Sequence, residues 1–380
     1  MIATSAETQS QFIQAMLGSN GNLLRITAPN GTGLIQVIAP NGIDDSATLA
    51  AAIAAVNTSY AAAIPVSIHA VPGVYRITNS QGSMPAFAPG VPGVINGSGI
   101  HKTYFQLDAS YVGDLFSWSE CWQKSSYASG MLPSADTAGA GASGFTVMGN
   151  TSSAAQQNVF RFYDRNDYVM IKDVEAFFVN GQFLSIGRTK NQPQAYVRES
   201  HFRNLRAHNC GTSSQAAVEI SSTTVSGSDA TNELQFHGLN LFAAAGKGVV
   251  ISNPNNFSAT RLIRFYGLRI EASGGDNLSI GLASDSGQTA LIGLHGLEVS
   301  SGLAATWGMT IQTNGTNVPY GIFGTDVIIN SLGNGINLSN VNGAYIRTSQ
   351  LNVSGTNVQT GVGASNYQVL GPNNTYAHNP

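Results

Sequence analysis

The stretch RFYGLRI (264–270) sets a Gly between two alternating apolar pairs, and the same grammar stands in QFHGLNL (235–241) and GLHGLEV (293–299). The Gly falls at 238, 267 and 296, two intervals of 29 residues. With that slot relaxed to Asn, Asp or another residue, further copies centre on Gly144, Asp173, Asn204, Gly324 and Gln350, giving intervals of 29, 31, 34, 29, 29, 28 and 26. A period of roughly 20–50 residues marks a solenoid, in which each unit buries its apolar face only against its neighbours.

Side-chain period identifies the unit. Apolar residues alternate on both sides of the Gly, Asn or Asp, which tolerate the left-handed backbone conformation best, so two short strands meet there at a sharp bend. A third strand recurs at a similar offset: FLSIG (183–187), AVEIS (217–221), VVIS (249–252), LSIG (278–281), MTIQ (309–312), INLS (336–339) and VGAS (362–365). Its inward residues are aliphatic, and its outward slot holds Ser185, Glu219, Val250, Ser279, Thr310, Asn337 and Gly363. This is the period of a half-buried strand. The fold class that follows is all-β: a single-stranded parallel β-helix with three strands per coil and about 10 coils.

Composition agrees. The chain has 43 Gly among 380 residues and only 10% charged residues, which suits tight turns and stacked strands. A net charge of −3 gives no basic face for nucleic acid. No apolar run is long enough for membrane insertion, and MIATSAETQSQF lacks the charged and apolar regions of a signal peptide. Cys121 and Cys210 are expected as a reduced, partly buried pair. The clearest helix signal is 44–57, where Asp44, Asp45 and Ser46 offer capping oxygens and Leu49, Ile53 and Val56 form a stripe. Such a helix would cover the open end of the solenoid. The expected division is an N-terminal strand and cap segment (1–40) and a β-helix (41–380) with a first-turn insertion at 119–143.

GIDDSATLAAAIAAV (42–56) resembles the segment that opens the pectate-lyase-like right-handed β-helix family. IPVSIHAVPGVYRI (64–77) and PGVPGVINGSGIHKTYFQL (89–107) resemble that family's next strand and coil, with departures at GIDD and at the His-Ala before Val71. The motif resemblance covers about 35–118 and the repeat carries the remainder. Within the family the chain looks most like phage tailspike depolymerases. That resemblance implies a right-handed helix, a homotrimer, an extracellular or virion-associated location, and cleavage of a bacterial polysaccharide.

Chemistry concentrates in one band. Of the 59 positions from 161 to 219, 14 are charged, about 24% against 10% for the chain, which marks it as the functional surface to examine first. Asp164 and Asp167 lie on one turn and are candidates for the paired carboxylates of a glycosidase, with Glu219 as a third. Arg161, Arg165, Arg188, Lys190 and Glu199 are candidates for gripping substrate. Trp122 and Tyr127, in the insertion, could stack on sugar rings or anchor their own loop. A second-choice catalytic group is Glu298, Asp326 and Glu271, which with Arg269 could equally form a salt-bridged face. The second sheet presents His201, Arg203, His237, Arg264, Tyr266 and His295, either a binding stripe for an acidic polymer or a solvated or intersubunit face. Asp164, Asp167 and Glu199 are the only carboxylates that could converge on calcium, but no ligand motif is visible, and no metal or cofactor is expected. Hydrolysis, β-elimination by an Arg or Lys base, and noncatalytic binding all remain open.

Overall fold

A computed structural model of the chain describes residues 24–27, 34–61, 66–121, 140–150, 156–227, 230–301, 306–313, 317, 319–371 and 375–378. Successive repeats stack in parallel. A nine-stranded first sheet begins with Gly113–Ser119 and Gln157–Tyr163 and ends with Val358–Thr360. Its outward slot aligns Ser117, Arg161, Ser185, Glu219 and Val250 in one column, which continues through Asn337 to Gln359. Gln359 takes the place expected for Gly363, because the last coil is shorter than the repeat.

The other two faces belong to a 19-stranded set whose long strands bend at the repeat's Gly slot. Residues such as 201–203, 235–237 and 264–266 lie before the bend and form the second sheet; 206–208, 240–242 and 269–271 lie after it and form the third. Gly144, Asp173, Asn204, Gly238, Gly267 and Gly296 all adopt φ between 49° and 72° there. At the next coil the bend is Asp326 (φ 57°), while Gly324 lies within the strand opposite Leu294. Two further columns of left-handed corners carry no glycine signal: Glu199, Glu233, Leu262 and Leu291 before the second sheet, and Phe178, Asn209, Ala243 and Ala272 after the third. After the third sheet the corner N–H still reaches the next coil, as from Ala243 to the Glu271 carbonyl (2.8 Å) and from Ala272 to that of Ser300 (2.7 Å).

Inside, side chains stack on their own counterparts one coil away. Phe202, Phe236 and Phe265 stack with centroids 4.5 and 4.8 Å apart. Earlier coils hold Phe105, Phe145, Phe116 and Phe160 with Trp118 over Phe162 at 4.9 Å. Burying each such ring contributes about 1.5–3 kcal/mol. Cys121 and Cys210 are free and buried, and burial pushes both thiols up to about 12.

Both ends of the ladder are covered. Helix α1 (Ser46–Ala61) buries Leu49, Ile53 and Val56 in the core. Asp44 caps it as expected, its Oδ1 accepting the Ser46 N–H (3.0 Å), whereas Asp45 accepts N–H groups outside the helix, those of Asn41 (2.7 Å) and Arg76 (2.9 Å). Beyond it, Leu24–Thr27 pairs antiparallel with Leu34–Ile38, and at the other end Thr375–His378 pairs antiparallel with Ser365–Leu370. No helix is long and apolar enough to cross a membrane among the described residues.

Two stability experiments follow. A Cβ at Gly267 would meet nothing within 4 Å, whereas at Gly281 (φ 76°) it would lie 2.0 Å from the Gln312 carbonyl oxygen. Gly267→Asn should therefore cost at most about 1 kcal/mol and Gly281→Ala several times that, read by chemical denaturation. Burial alone would raise the Asp44 carboxyl, but the hydroxyls of Ser80, Ser46 and Thr78 and the Ser46 N–H outweigh it and hold it down at about 2. Its stabilisation is thus present above the unfolded value near 3.8 and lost as pH falls through about 2. Asp44→Asn should lower stability by about 1 kcal/mol at pH 6, with the difference from the parent shrinking toward pH 2.

Candidate functional site

The charged band resolves into pairs made between coils. On the outer face of the first sheet, Asp114 Oδ2 accepts the Tyr163 hydroxyl (2.7 Å), and its Oδ1 accepts the Asn158 amide (2.9 Å). Arg161 Nε stands 3.5 Å from the same Oδ1, and Arg161 Nη2 donates to Gln182 Oε1 (2.7 Å). Gln182 Nε2 donates in turn to Glu219 Oε2 (2.7 Å), which Arg188 also engages. Carboxylate, guanidinium, amide and carboxylate thus form one line up the sheet. The Asp114 and Glu219 side chains are 14% and 16% exposed, enough for contact with a ligand on this face. Lys190 Nζ lies 4.6 Å from the centre of the Tyr163 ring. Burial first, and the Asp114 charge second, push the Tyr163 hydroxyl up to about 12, so it remains a proton donor at neutral pH.

Asp164 and Asp167 stand elsewhere. Asp164 is wholly buried at a left-handed corner (φ 57°). Its oxygens accept the N–H groups of Lys190 (2.7 Å), Asn191 (3.1 Å) and Gln192 (3.1 Å) and the Ser119 hydroxyl (2.7 Å). It is a staple for the 190–192 loop. Asp167 is 7% exposed and takes both arms of Arg198, at 2.8 and 3.0 Å. Such a bidentate pair occupies both carboxylate oxygens. The Asp-x-x-Asp turn therefore does not bring two free carboxylates together. It holds Cys121 instead: the Asp167 N–H donates to the Cys121 carbonyl (3.1 Å), and Asn166 Oδ1 accepts the Cys121 N–H (3.2 Å). Arg165 pairs with Glu120. Trp122 and Tyr127 lie outside the described residues.

Glu199 is an exposed corner residue (φ 49°), so with Asp164 nested and Asp167 paired the three do not form a calcium cage. Among the described residues no three His, Cys, Asp or Glu side chains are grouped to hold a metal ion. The second-choice group also separates. Glu298 faces Ile328, not Asp326, because Asp326 is the bend. Arg269, 52% exposed, pairs with Glu271 and lies 3.6 Å from Glu298. That is an exposed ionic cluster of the kind worth about 0–1 kcal/mol. Of the outward apolar residues Val250, Ile328 and Phe242, the first is 6% exposed and the second half-buried, and Phe242 stands out at 45%.

Asp114, Tyr163 and Gln182 escaped the sequence reading. Extending the repeat one coil toward the N-terminus would have found Asp114, since Phe116 aligns with Phe160 and sets Asp114 opposite Asn158. Two surface clefts lie apart from this face. One of about 680 Å³ is lined by Ser300, Asn330, Leu332 and Asn352 among others, and one of about 260 Å³ by Phe257, Arg261 and Gln288 among others. Neither brings a carboxylate to its wall, whereas the first sheet offers two on an open face suited to an extended ligand.

No family model matches the chain, and no curated protein is detectably similar to it in sequence. Solved structures similar to it include the ORF18 protein of Geobacillus virus E2, with a TM-score of 0.46 and 10% identity over 87% of this chain and 59% of that one. The A-module of Azotobacter vinelandii mannuronan C-5 epimerase AlgE6 gives 0.39 and 11% over 87% of this chain and 96% of that one. The Agl-KA catalytic domain gives 0.33 and 12% over 91% and 69%. The chain spans about 59% of the length of the viral protein. Identities and scores this low say nothing about activity, and the architecture rests on the strand registers above.

Proposed function

We propose that this β-helix binds and cleaves a bacterial surface or secreted polysaccharide on the outer face of its first sheet, by hydrolysis, with Glu219 as the base that activates water. One observation carries this reading. Glu219 Oε2 is held by Gln182 and Arg188, while Oε1 accepts no hydrogen bond among the described residues, on a side chain that is 16% exposed. A carboxylate fixed by one oxygen and free at the other is oriented to take a proton. In the proposed step, water oxygen bonds to the anomeric carbon as its proton passes to Glu219. The glycosidic oxygen leaves with the proton that Tyr163 and Asp114 share. Arg161, Arg188 and Lys190 grip the chain, and Asp164 and Asp167 shape the loops beside it.

A second reading is β-elimination. Lys190 has no carboxylate partner among the described residues, so its amine could remove a proton beside a uronate carboxylate. For assembly we propose a homotrimer, supported by the exposed rings of Phe178 (43%) and Phe242 (45%) at one corner and by the motif resemblance to tailspikes. An extracellular or virion-borne location would accompany it.

Reducing ends released from a panel of bacterial polysaccharides, with ultraviolet absorbance read on the same samples, test the chemistry. Hydrolysis predicts reducing ends without absorbance; absorbance would transfer the base to Lys190, and intact polymer throughout would leave a binding spike. Glu219→Gln should lower kcat at least about 100-fold with an unchanged melting temperature. Asp164→Asn should instead lower the melting temperature by several degrees, corresponding to about 1–3 kcal/mol for disturbing a buried hydrogen-bonded carboxylate. Equal activity in Glu219→Gln and parent would overturn the assignment. Light scattering at micromolar concentration should give three times the chain mass, and a monomer would exclude the trimer.

A further inference from the structure

The pairing that neutralises the first sheet does not extend to the second. Lys172, Arg203, His237, Tyr266 and His295 stand in register, one per coil, along the outer face of the second sheet. A parallel column beside them runs through His201, Gln235 and Arg264. Neither column holds a carboxylate between these coils. Glu199, Glu233 and Asp173 are confined to the flanking corners, where Asp173 accepts the Asn204 amide (2.8 Å).

We propose that this strip docks an acidic polysaccharide along the solenoid axis, on a surface separate from the Glu219 face. Lys172, Arg203 and Arg264 are exposed, and none makes an ion pair with the described residues. By contrast Arg161, Arg165, Arg188 and Arg198 each have a carboxylate partner. Cations directly opposite one another on neighbouring strands, as Lys172 and Arg203 are, repel and destabilise the sheet. An anionic ligand would relieve that repulsion. His201 titrates below its ordinary value, chiefly through burial and then through Arg203 and His237, as expected beside an uncompensated positive field.

The rings define the shape of the occupant. His237, Tyr266 and His295 stack on one another at 4.7 and 5.1 Å with interplanar angles of 14° and 13°. Their faces are therefore used among themselves, and the ladder turns polar ring edges outward. From Lys172 to His295 the strip climbs four coils, about 19 Å at ~4.8 Å per strand. Cations at three of these coils, with histidine and tyrosine edges between and beyond them along a line of that length, suit a linear polymer with repeating carboxylates or sulfates. A second copy placed across a two-fold axis would set these cations against themselves.

Affinity electrophoresis through gels containing polygalacturonate, or dextran as the neutral control, tests the inference, using full-length protein in the Glu219→Gln background so that the polymer stays intact. Polygalacturonate should retard it and dextran should not. The triple variant Lys172→Ser, Arg203→Ser, Arg264→Ser should bind about tenfold or more weakly, because screened charge attraction is lost. Its melting temperature, expected to equal or exceed the parent's, excludes misfolding as the cause. No retardation by polygalacturonate, equal retardation by dextran, or an unaffected triple variant would overturn the proposal. So would light scattering in which the triple variant alone dissociates, since the strip would then be a subunit contact. Failure of cleavage on the first sheet leaves these binding results unchanged, so the two proposals fail separately.

Discussion

Hydrogen bonds from corner residues to the neighbouring coil, as at Phe178, Asn209, Ala243, Ala272, Gly267 and Gly296, are the constraint on which the molecule depends. Parallel strands stack only while every turn of the chain returns to the same register, and the register is set at three corners per coil. Where a corner residue takes positive φ, its N–H stays in the ladder, as Gly267 does to the His295 carbonyl at 2.8 Å. Aligned corners align the strands, aligned strands align the rings inside, and Phe202, Phe236 and Phe265 then stack without further instruction. Leucine at such a corner, as at Leu262 and Leu291, costs about 1–2 kcal/mol relative to the right-handed region, which the packed coil offsets.

That hierarchy explains which parts of the fold could be read from the chain. The bend between the second and third sheets favours Gly, Asn or Asp, so it left a countable period. Through the central coils the other two corner columns hold, Asn209 apart, Glu, Leu, Phe and Ala, whose conformation is imposed by neighbours and leaves little compositional trace. The slip from Gly324 to Asp326 has the same origin. FGTDV offers two residues able to bend, and only the pairing of His295 with Thr325 selects the second. The cap at Asp44 was legible because it accepts an N–H two residues on, whereas the bond of Asp45 to Arg76, 31 residues away, left no local trace.

The site was less legible for a related reason. In a solenoid an ionisable group meets its partner about one repeat away, so proximity in sequence misleads. Asp164 and Asp167 look like a pair on the page, yet Asp164 closes on the backbone 26–28 residues later and Asp167 on Arg198, 31 residues later. Asp114 and Tyr163, 49 positions apart, do meet. The charge count picks out the band. Sorting it into a neutralised face and an uncompensated one needed the register.

The antiparallel strands at the two ends have a consequence for how such a molecule can change size. They terminate the hydrogen-bond ladder where another chain could otherwise add, while every coil between them presents the same two edges, one facing up and one down. A coil gained or lost in the middle leaves both terminations intact and joins like to like. The length of each outer face is therefore adjustable in steps of ~4.8 Å without redesign of either end. The solenoid is a ruler whose graduations can be added or removed, and the length of its outer faces is set by the number of repeats in the chain.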